Sequence, residues 1–215
     1  HQRSKAPAER GPLVLAGDIG GTKTWLGIFR AASSAPTARL SLERADRFAS
    51  PSASSLEELV AQFLGPAPET VDHASFGLPG PVTGTHAKLV NLPWEVDASM
   101  LSSKFGFRTC ALINDLVANA WGIGELAPSG FTGLQGGTPK ASGNMAGISP
   151  GTGLGEAGIY FDGQNHTPFA CEGGHCDFAP RTELEIALLD HLFRLHGHVS
   201  FERVQTVCKE TDDIR

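Results

Sequence analysis

The stretch LAGDIGGTKTWLGIF, residues 15–29, decides the fold that we expect for this chain. Apolar residues alternate on both sides of the Gly20–Gly21 pair, and this pattern predicts two strands joined by a tight turn. A hairpin needs a glycine at its turn, but it needs neither the acid Asp18 nor the hydroxyl of Thr22. Glycines allow backbone N–H groups to converge on phosphate oxygens, because no Cβ blocks the approach. Gly20, Gly21 and Thr22 are therefore candidate phosphate ligands, and Asp18 is a candidate ligand of a hydrated divalent cation.

A second glycine turn lies in SPGTGLGEAGIY, residues 149–160. Displaced by 131 positions, Gly20 falls on Gly151, and the apolar pattern of the following strand repeats. Gly151, Thr152 and Gly153 are therefore candidates for the other side of a polyphosphate. Neither turn matches the G-x-x-x-x-G-K-[ST] loop or the dinucleotide fingerprint, so two unrelated glycine hairpins are the alternative interpretation.

The composition of the 215-residue chain is that of a folded globular protein, with 40% hydrophobic and 19% charged residues. A formal net charge of −6 argues against nucleic acid or an anionic membrane as the main partner. No apolar run approaches the roughly 20 residues that cross a bilayer. Four cysteines are too few for a disulfide framework in a chain of this length, so a reducing, cytoplasmic location is expected.

Strand and helix signals alternate along the chain, and this alternation predicts an α/β fold. Two helix starts have the spacing of a capping box, Ser55 with Glu58 and Thr182 with Glu185. A glycine-rich stretch at 131–144 predicts a boundary between two lobes. The predicted domains are a loose polar tail at 1–12, a first lobe at 13–127 and a second lobe at 128–215.

The stretch LINDLVANAW, residues 112–121, places polar residues where an apolar strand gives way to a helix. This edge is where α/β proteins present ligand-binding side chains. Asp115 is therefore a candidate general base, and Asn114 is a candidate ligand of a hydroxyl substrate. A helix N-cap is an equally good interpretation, because Asn and Asp are among the residues most preferred at that position.

The stretch FACEGGHCDFAP, residues 169–180, allows two interpretations. Its two cysteines and His175 suggest a metal site, but tetrahedral zinc needs a fourth ligand and a matching pair elsewhere in the sequence. The interpretation that we favour is a polar loop in which Glu172 and His175 hydrogen-bond a polyol. Glu202, in GHVSFERV, has a similar context, although an isolated glutamate is usually solvated.

Seven motifs of the chain carry a resemblance to a known family. In order along the sequence they are GDIGGTKT, LPGPVTG, NLPW, LINDLVANAWGI, SPGTGLGEAGI, EGGHCDFAPRTELE and GHVSFERV. Together they resemble the bacterial glucokinases of the actin/hexokinase-like superfamily, from Leu13 to Val204. The resemblance implies a two-lobed actin-like ATPase fold with ribonuclease-H-like cores and the ligand cleft between the lobes. It also implies transfer of the ATP γ-phosphate to the 6-hydroxyl of glucose, the first step of glycolysis, by an enzyme of the cytoplasm.

The resemblance also assigns roles to individual residues. Asp115 corresponds to the base that takes the proton from the sugar 6-hydroxyl. The residues implied in glucose binding are Asn114, Asp115, Glu172, His175 and Glu202. The residues implied in binding the ATP phosphates are Asp18, Gly20, Gly21, Thr22, Gly151, Thr152 and Gly153. Asp18 is further implied to hold Mg²⁺ through water, and no zinc is expected, because CDFAPRTELE lacks the cysteine-rich motif of the related repressor-type sugar kinases.

The final stretch QTVCKETDDIR, residues 205–215, does not fit the family pattern. The second lobe is therefore expected to be incomplete in this chain and to lack the segment that holds adenosine. A catalytically inactive glucose-binding fragment is one alternative function, and a kinase of the same fold for another hexose or an N-acetylated amino sugar is a second. Glucose and ATP are the expected partners, no nucleic acid or membrane is expected, and a homodimer is left open.

Overall fold

The structure is a computed structural model that describes residues 11–33, 35, 38–66, 70–89, 91–137, 143–151 and 153–212, with side chains up to residue 206. The predicted tail at 1–12 lies outside this range except for its last two residues. The chain divides into two compact units, His1–Asp115 and Leu116–Arg215, and both contain strands and helices, as the α/β prediction requires. No helix in the described ranges is both long enough and apolar enough to span a bilayer.

Two sheets and two α-helices make up the described part of the first unit. In chain order the elements are β1 (Leu13–Ile19), β2 (Lys23–Ala31), β3 (Leu40–Ala49), α1 (Leu56–Leu64), β4 (His73–Leu78), β5 (Val82–Thr83), β6 (His86–Lys88), β7 (Glu95–Asp97), α2 (Ala98–Phe105) and β8 (Thr109–Asn114). The large sheet has the strand order β3-β2-β1-β4-β8, and the small sheet has the order β5-β6-β7. Strands β1, β4 and β8 run parallel, so their carboxyl ends lie at one edge of the large sheet.

The strand pair predicted around the Gly20–Gly21 turn is confirmed, because β1 and β2 are antiparallel neighbours on either side of it. Leu13 and Leu15 of β1 are buried while the residue between them is only partly buried, as expected where one face of a strand packs on a core. The last three residues of β4, which lies between β1 and β8, are all buried. Of the three parallel strands, β1 and β4 are therefore interior strands, and β8 is at the edge of the sheet.

The start of helix α1 differs slightly from the predicted capping box. Ser55 Oγ accepts a hydrogen bond from the Glu58 N–H at 3.3 Å, as predicted. The Glu58 carboxylate, however, accepts from the N–H and the Oγ of Ser54, at 2.7 Å and 2.8 Å. Those bonds hold the pKa of Glu58 below its ordinary value. Gly65 ends the helix as predicted, with a φ of 77° that favours glycine.

One hydrophobic cluster holds the first unit together. Its fully buried members come from the large sheet, from both helices and from the residue before β7. They include Leu15, Ile28, Leu59, Phe76, Trp94 and Leu101. The strands that lead to the carboxyl edge of the large sheet therefore pack on an extensive hydrophobic core.

The second unit contains a three-stranded antiparallel sheet. Its described elements are α3 (Asp115–Ile123), which begins at the last residue of the first unit, β9 (Met145–Pro150), β10 (Leu154–Phe161), β11 (His166–Cys171), α4 (Glu183–His196) and α5 (Phe201–Asp212). The strand order β11-β10-β9 matches the order β3-β2-β1 of the first unit, in agreement with the internal repeat of the sequence. The strand pair predicted around Gly151 is confirmed as β9 and β10.

The two helices near the end of the chain differ in how well the sequence predicts them. The capping box at the start of α4 is confirmed, because the Glu185 N–H donates to Thr182 Oγ1 at 3.2 Å and the Glu185 carboxylate accepts from the Thr182 N–H at 3.0 Å. The sequence leaves residues 205–215 without an assigned element, and helix α5 covers most of them. Ser200 starts this helix, because its Oγ and its carbonyl accept hydrogen bonds from the N–H groups of the first turn of α5.

The division between the units falls after Asp115, whereas the sequence predicts a boundary at 127/128. Helix α3 packs on β10 through one small apolar cluster. The members of that cluster are Leu116, Ala120, Ala157 and Ile159. This packing explains why α3 groups with the second unit. The glycine-rich stretch expected at the boundary lies partly, at 138–142, outside the described residues.

Candidate active site

The carboxyl edge of the large sheet collects the first group of candidate residues. Asp18 of β1 is in register with Gly77 of β4, which is in register with Ile113 of β8. Two strand spacings of about 4.8 Å place the Cα atoms of Asp18 and Ile113 roughly 10 Å apart. Asn114 and Asp115 follow Ile113 directly. One edge of the first unit therefore presents two acids and an amide, at the position where α/β proteins bind ligands.

The turn after β1 is held by hydrogen bonds on its inner side. The Gly20 N–H donates to the Lys23 carbonyl at 2.9 Å, so this N–H is engaged within the turn. Ser50 Oγ donates to the Gly20 carbonyl at 2.6 Å, and the Ser50 N–H donates to the Thr22 carbonyl at 3.0 Å. Two carbonyls that would repel a phosphate are thereby occupied, while Thr22 itself is exposed.

Asp18 has an exposed residue surface but a desolvated carboxyl group. Desolvation by the surrounding chain raises the pKa of Asp18 above its ordinary value. Ionisation of Asp18 therefore costs more free energy in the protein than in water, and a cation beside it would offset that cost. Mg²⁺ is commonly held by one or two carboxylates together with substrate phosphates and water. A carboxylate next to a glycine turn fits that donor set.

Asn114 and Asp115 are held at the junction of β8 and α3. Asn114 Nδ2 donates to the Gly80 carbonyl at 3.3 Å and to Asp115 Oδ1 at 3.1 Å. Gly80 has a φ of 105°, a conformation that side-chain-bearing residues rarely adopt, and this bend turns its carbonyl towards the amide. Asp115 lies in the first turn of α3, where the helix dipole favours the ionised carboxylate. Asn114, directly before α3, occupies the N-cap position, and capping the helix does not exclude binding a sugar.

The second glycine turn joins β9 to β10. The Gly151 N–H donates to the Gly153 carbonyl at 2.8 Å and closes the turn. Thr152, the predicted hydroxyl ligand, lies outside the described residues. Two side chains of α5 reach this turn. Gln205 Nε2 donates to the Gly151 carbonyl at 3.4 Å, and Glu202 Oε2 accepts from the N–H of the first residue of β10 at 2.9 Å.

Three candidate sugar ligands lie together in the second unit. His175 Nε2 is 3.7 Å from Glu172 Oε2 and 3.8 Å from Glu202 Oε1. The side chains of Glu172 and His175 are exposed, whereas only 29% of the Glu202 side chain is exposed. Two carboxylates and an imidazole offer acceptors and a donor to the neighbouring hydroxyls of a polyol. The cluster therefore has the chemistry that the sequence predicts for a sugar site.

Backbone hydrogen bonds explain how residues so distant in the sequence meet. The Phe178 N–H donates to the Val199 carbonyl at 2.9 Å, and the Phe201 N–H donates to the Cys176 carbonyl at 3.1 Å. Asp177 forms an isolated antiparallel bridge with the residue before α5. The loop after β11 and the start of α5 are thereby joined side by side.

The model of the glucokinase family matches residues 15–206. The chain belongs to the glucokinase family. It is 39% identical over 196 residues to the glucokinase of Trichormus variabilis, an alignment that covers 89% of this chain and 56% of that protein. The chain thus spans little more than half the length of the curated relatives that it matches.

Solved structures of glucokinases share the fold. The glucokinase of an Antarctic psychrotroph has a TM-score of 0.72 and 29% identity, covering 88% of this chain and 59% of that one. A ROK family glucokinase from Streptomyces griseus, solved with glucose and AMPPNP, has a TM-score of 0.50 and 22% identity, covering 80% and 53%. At that identity the second likeness supports the fold alone. The predicted actin-like fold of the sugar kinases is confirmed by these neighbours.

In this glucokinase-family chain, the predicted site residues form one group in each unit. The group of the first unit contains Asp18, Gly20, Gly21, Thr22, Asn114 and Asp115. The group of the second unit contains Gly151, Gly153, Glu172, His175 and Glu202. Each group lies at one end of the sheet in its own unit. The roles assigned to these residues remain predictions.

The sequence does not reveal two buried hydroxyl groups that support the first glycine turn. Thr24 and Ser50 are fully buried, and Thr24 Oγ1 lies 2.9 Å from Ser50 Oγ. Because Ser50 Oγ also donates to the Gly20 carbonyl, the two hydroxyls form a buried chain of hydrogen bonds, called here the hydroxyl relay, that fixes the turn. Ser50 follows Thr24 by 26 residues, so no local pattern reveals it. The one feature of the sequence that could have indicated this pair is Thr24 itself, which places a hydroxyl at a core-facing position of an apolar strand.

Replacing Thr24 with valine is expected to lower the free energy of unfolding of the first unit by about 1–3 kcal/mol. Valine keeps the shape of the side chain but leaves the buried Ser50 hydroxyl without this partner. Replacement by serine keeps the hydroxyl and removes one methyl group, at a cost of about 1 kcal/mol. Urea unfolding of the two variants provides the measurement. A valine variant more stable than the serine variant would mean that the hydroxyl relay contributes nothing.

Proposed function

We propose that the protein acts as an ATP-dependent glucokinase, transferring the γ-phosphate of ATP to the 6-hydroxyl of glucose to give glucose 6-phosphate and ADP. The observation that carries this proposal is the cluster of Glu172, His175 and Glu202 in a chain of the glucokinase family. The glucokinase of Trichormus variabilis, 39% identical over 196 residues, supports this choice of reaction.

Asp115 is the proposed general base. Phosphoryl transfer asks for little covalent chemistry from the protein, so the main task is to orient the attacking hydroxyl and the phosphates. Asn114 Nδ2, at 3.1 Å from Asp115 Oδ1, holds the carboxylate at the carboxyl edge of the sheet. From there Asp115 accepts a hydrogen bond from the 6-hydroxyl of the sugar, and then its proton.

The two glycine turns are the proposed phosphate ligands, one in each unit. The first turn supplies the Thr22 hydroxyl and backbone N–H groups other than that of Gly20, which is bonded within the turn, and Ser50 fixes this backbone. Asp18 is the residue that would hold Mg²⁺ through water, as its desolvated carboxyl beside this turn suggests. When bound, Mg²⁺ neutralises charge on the phosphates.

Glu202 is the residue that we expect to contribute most to the choice of sugar. A polar group that loses its hydroxyl partner costs more free energy when it is enclosed than when it is exposed, because water cannot replace the lost hydrogen bond. Glu202 is the most enclosed of the three clustered side chains, whereas Glu172 and His175 are exposed. A sugar with the wrong hydroxyl pattern at Glu202 should therefore bind poorly.

Phosphorylation of glucose by ATP and Mg²⁺ is the expected result of a coupled assay on purified protein whose intact mass has been recorded. Comparison with mannose, fructose and N-acetylglucosamine is expected to give glucose the highest kcat/KM. Glucose in last place would contradict the proposed substrate and favour a kinase for another hexose or an amino sugar. Glucose binding by calorimetry without turnover, on a folded protein, would instead favour a catalytically inactive sugar-binding protein.

We place the reaction at the first step of glycolysis, in the cytoplasm, with glucose and ATP rather than nucleic acid or membrane as partners. The formal net charge of −6 supports the exclusion of polyanionic partners. Light scattering on the assayed preparation distinguishes a monomer from a homodimer.

A further inference from the structure

The carboxylate of Glu202 makes two different contacts in the second unit. Its Oε2 accepts a hydrogen bond from the Leu154 N–H at 2.9 Å, directly after the second glycine turn. Its Oε1 lies 3.8 Å from His175 Nε2, in the cluster of candidate sugar ligands. The Glu202 side chain therefore contacts both the second glycine turn, which is the proposed phosphate turn, and the cluster of candidate sugar ligands, called here the sugar cluster.

Gly153 is what allows Glu202 to approach the turn so closely. A Cβ at Gly153 would collide with Glu202 Oε2, and it would lie only 3.0 Å from the Glu202 Cδ. Gly153 does not have a φ in the left-handed region, so its backbone conformation does not by itself require glycine. The close contact with the carboxylate is therefore the physical reason for a glycine at this position.

The backbone that carries Glu202 is anchored, so the side chain is the part that would yield. The Phe201 N–H donates to the Cys176 carbonyl at 3.1 Å, and the Arg203 N–H donates to Ser200 Oγ at 3.1 Å. The Glu202 carbonyl accepts from Thr206 Oγ1 at 2.9 Å. A methyl group added at Gly153 would thus displace the Glu202 carboxylate rather than the start of α5.

We propose that Gly153 is a positioning residue for sugar binding, which leaves room for Glu202 to hold the Leu154 N–H with one oxygen and a sugar hydroxyl with the other. This role rests on the proposed function, because it needs Glu202 to bind the sugar. It also makes the phosphate turn and the sugar cluster interdependent. A sugar that orients Glu202 stabilises the turn, and a polyphosphate that orders the turn holds Glu202 in place. By thermodynamic linkage, each of these ligands then raises the affinity for the other by the same factor.

The test compares Gly153→Ala with Gly147→Ala in β9 of the same strand pair. A Cβ at Gly147 would meet neighbours only at 3.8 Å and 3.9 Å, which is ordinary contact, so this variant is the matched control. Calorimetry with glucose in the absence of nucleotide is expected to show about 10-fold to 100-fold weaker binding for Gly153→Ala, the range for losing a hydrogen bond to a charged group. The control is expected to bind glucose like the unchanged protein.

A double-mutant cycle separates the positioning role from a general loss of structure. In a Glu202→Ala background, Gly153→Ala is expected to cause no further loss of glucose affinity, because the group that it displaces is absent. An equal loss in both backgrounds would overturn the proposal, and so would unchanged glucose binding by Gly153→Ala.

Amide hydrogen exchange at Leu154 gives a readout that does not depend on sugar binding. Faster exchange in Gly153→Ala than in Gly147→Ala would support the displacement of Glu202, and equal exchange would overturn it. If the unchanged protein binds no glucose while the Leu154 amide still responds in this way, the proposed function fails and the contact between Gly153 and Glu202 stands. The two failures are therefore distinguishable.

Discussion

Replacing Asp115 with asparagine is expected to lower kcat for glucose phosphorylation by about 10²–10⁴-fold, the usual range for losing a general base. Asparagine keeps the shape of the side chain and an oxygen within reach of Asn114 Nδ2, which lies 3.1 Å from Asp115 Oδ1. It removes the group that takes the proton. Glucose affinity should change far less than kcat, because most hydrogen bonds to the sugar survive. Steady-state kinetics together with glucose calorimetry give both numbers.

Asp190→Asn is the control for the Asp115 variant. Asp190 lies on α4 with 60% of its side chain exposed, and its ion pair with Arg194 is of the kind that contributes little. This variant should retain the activity of the unchanged protein. If Asp115→Asn also retained that activity, Asp115 would have only a structural role at the start of α3, and another group would have to serve as the base.

Replacing Leu15 with alanine is expected to lower the free energy of unfolding of the first unit by about 2–5 kcal/mol. Leu15 is fully buried in β1, where it pairs with Ile28 of β2 and Ala74 of β4. Truncation leaves a cavity at the centre of the large sheet, and interior strands on both sides limit its collapse. Native-state hydrogen exchange of the β4 amides reports on this unit without interference from the other.

Leu42→Ala is the matched control for the Leu15 variant, because Leu42 lies on β3 of the same sheet with 59% of its surface exposed. Its loss should change the stability of the unit by at most about 0.5 kcal/mol. Similar losses for the two variants would mean that the cluster around Leu15 does not hold the unit together as the burial of these side chains indicates.

The first glycine turn shows what the sequence can predict. Alternating apolar residues around the Gly20–Gly21 pair are a local signal, and they predict both strands and the turn between them. The hydroxyls that fix this turn could not be predicted in the same way. Ser50 reaches the turn from beyond β3, and only the folded sheet brings it to Thr24.

The surroundings of Glu202 illustrate a second limit. An isolated glutamate in a polar stretch is usually solvated, yet in the structure it accepts a hydrogen bond from the Leu154 N–H, 48 residues away. The motif resemblance alone marks Glu202 as a sugar ligand, and spacing gives no reason for it. Its contact beside the second glycine turn depends on the pairing between the loop after β11 and the start of α5, which is a tertiary effect.

Local ambiguity also limits the prediction of helix starts. At α1 two consecutive serines share the two hydrogen bonds of a capping box. Ser55 Oγ accepts from the Glu58 N–H, and the Ser54 N–H donates to the Glu58 carboxylate. At α4 the Glu185 carboxylate accepts hydrogen bonds from the N–H groups of both Arg181 and Thr182, so the predicted box forms. Helix α5 has no such signal in its polar second half, and contacts made by its first turn decide that it forms.

The apolar cluster of the second unit is far smaller than that of the first. Among the described residues it contains Ala120, Ala157 and Ile159, with Leu116 packed against them. The only other buried apolar side chains in the described part of this unit are Leu192 and Val199, so this part is expected to open locally at a lower free energy than the first unit. A ligand that binds only the closed form stabilises it by about 2.7 kcal/mol at a concentration of 100 times Kd. If the second unit binds glucose as proposed, saturating sugar should therefore slow its local opening.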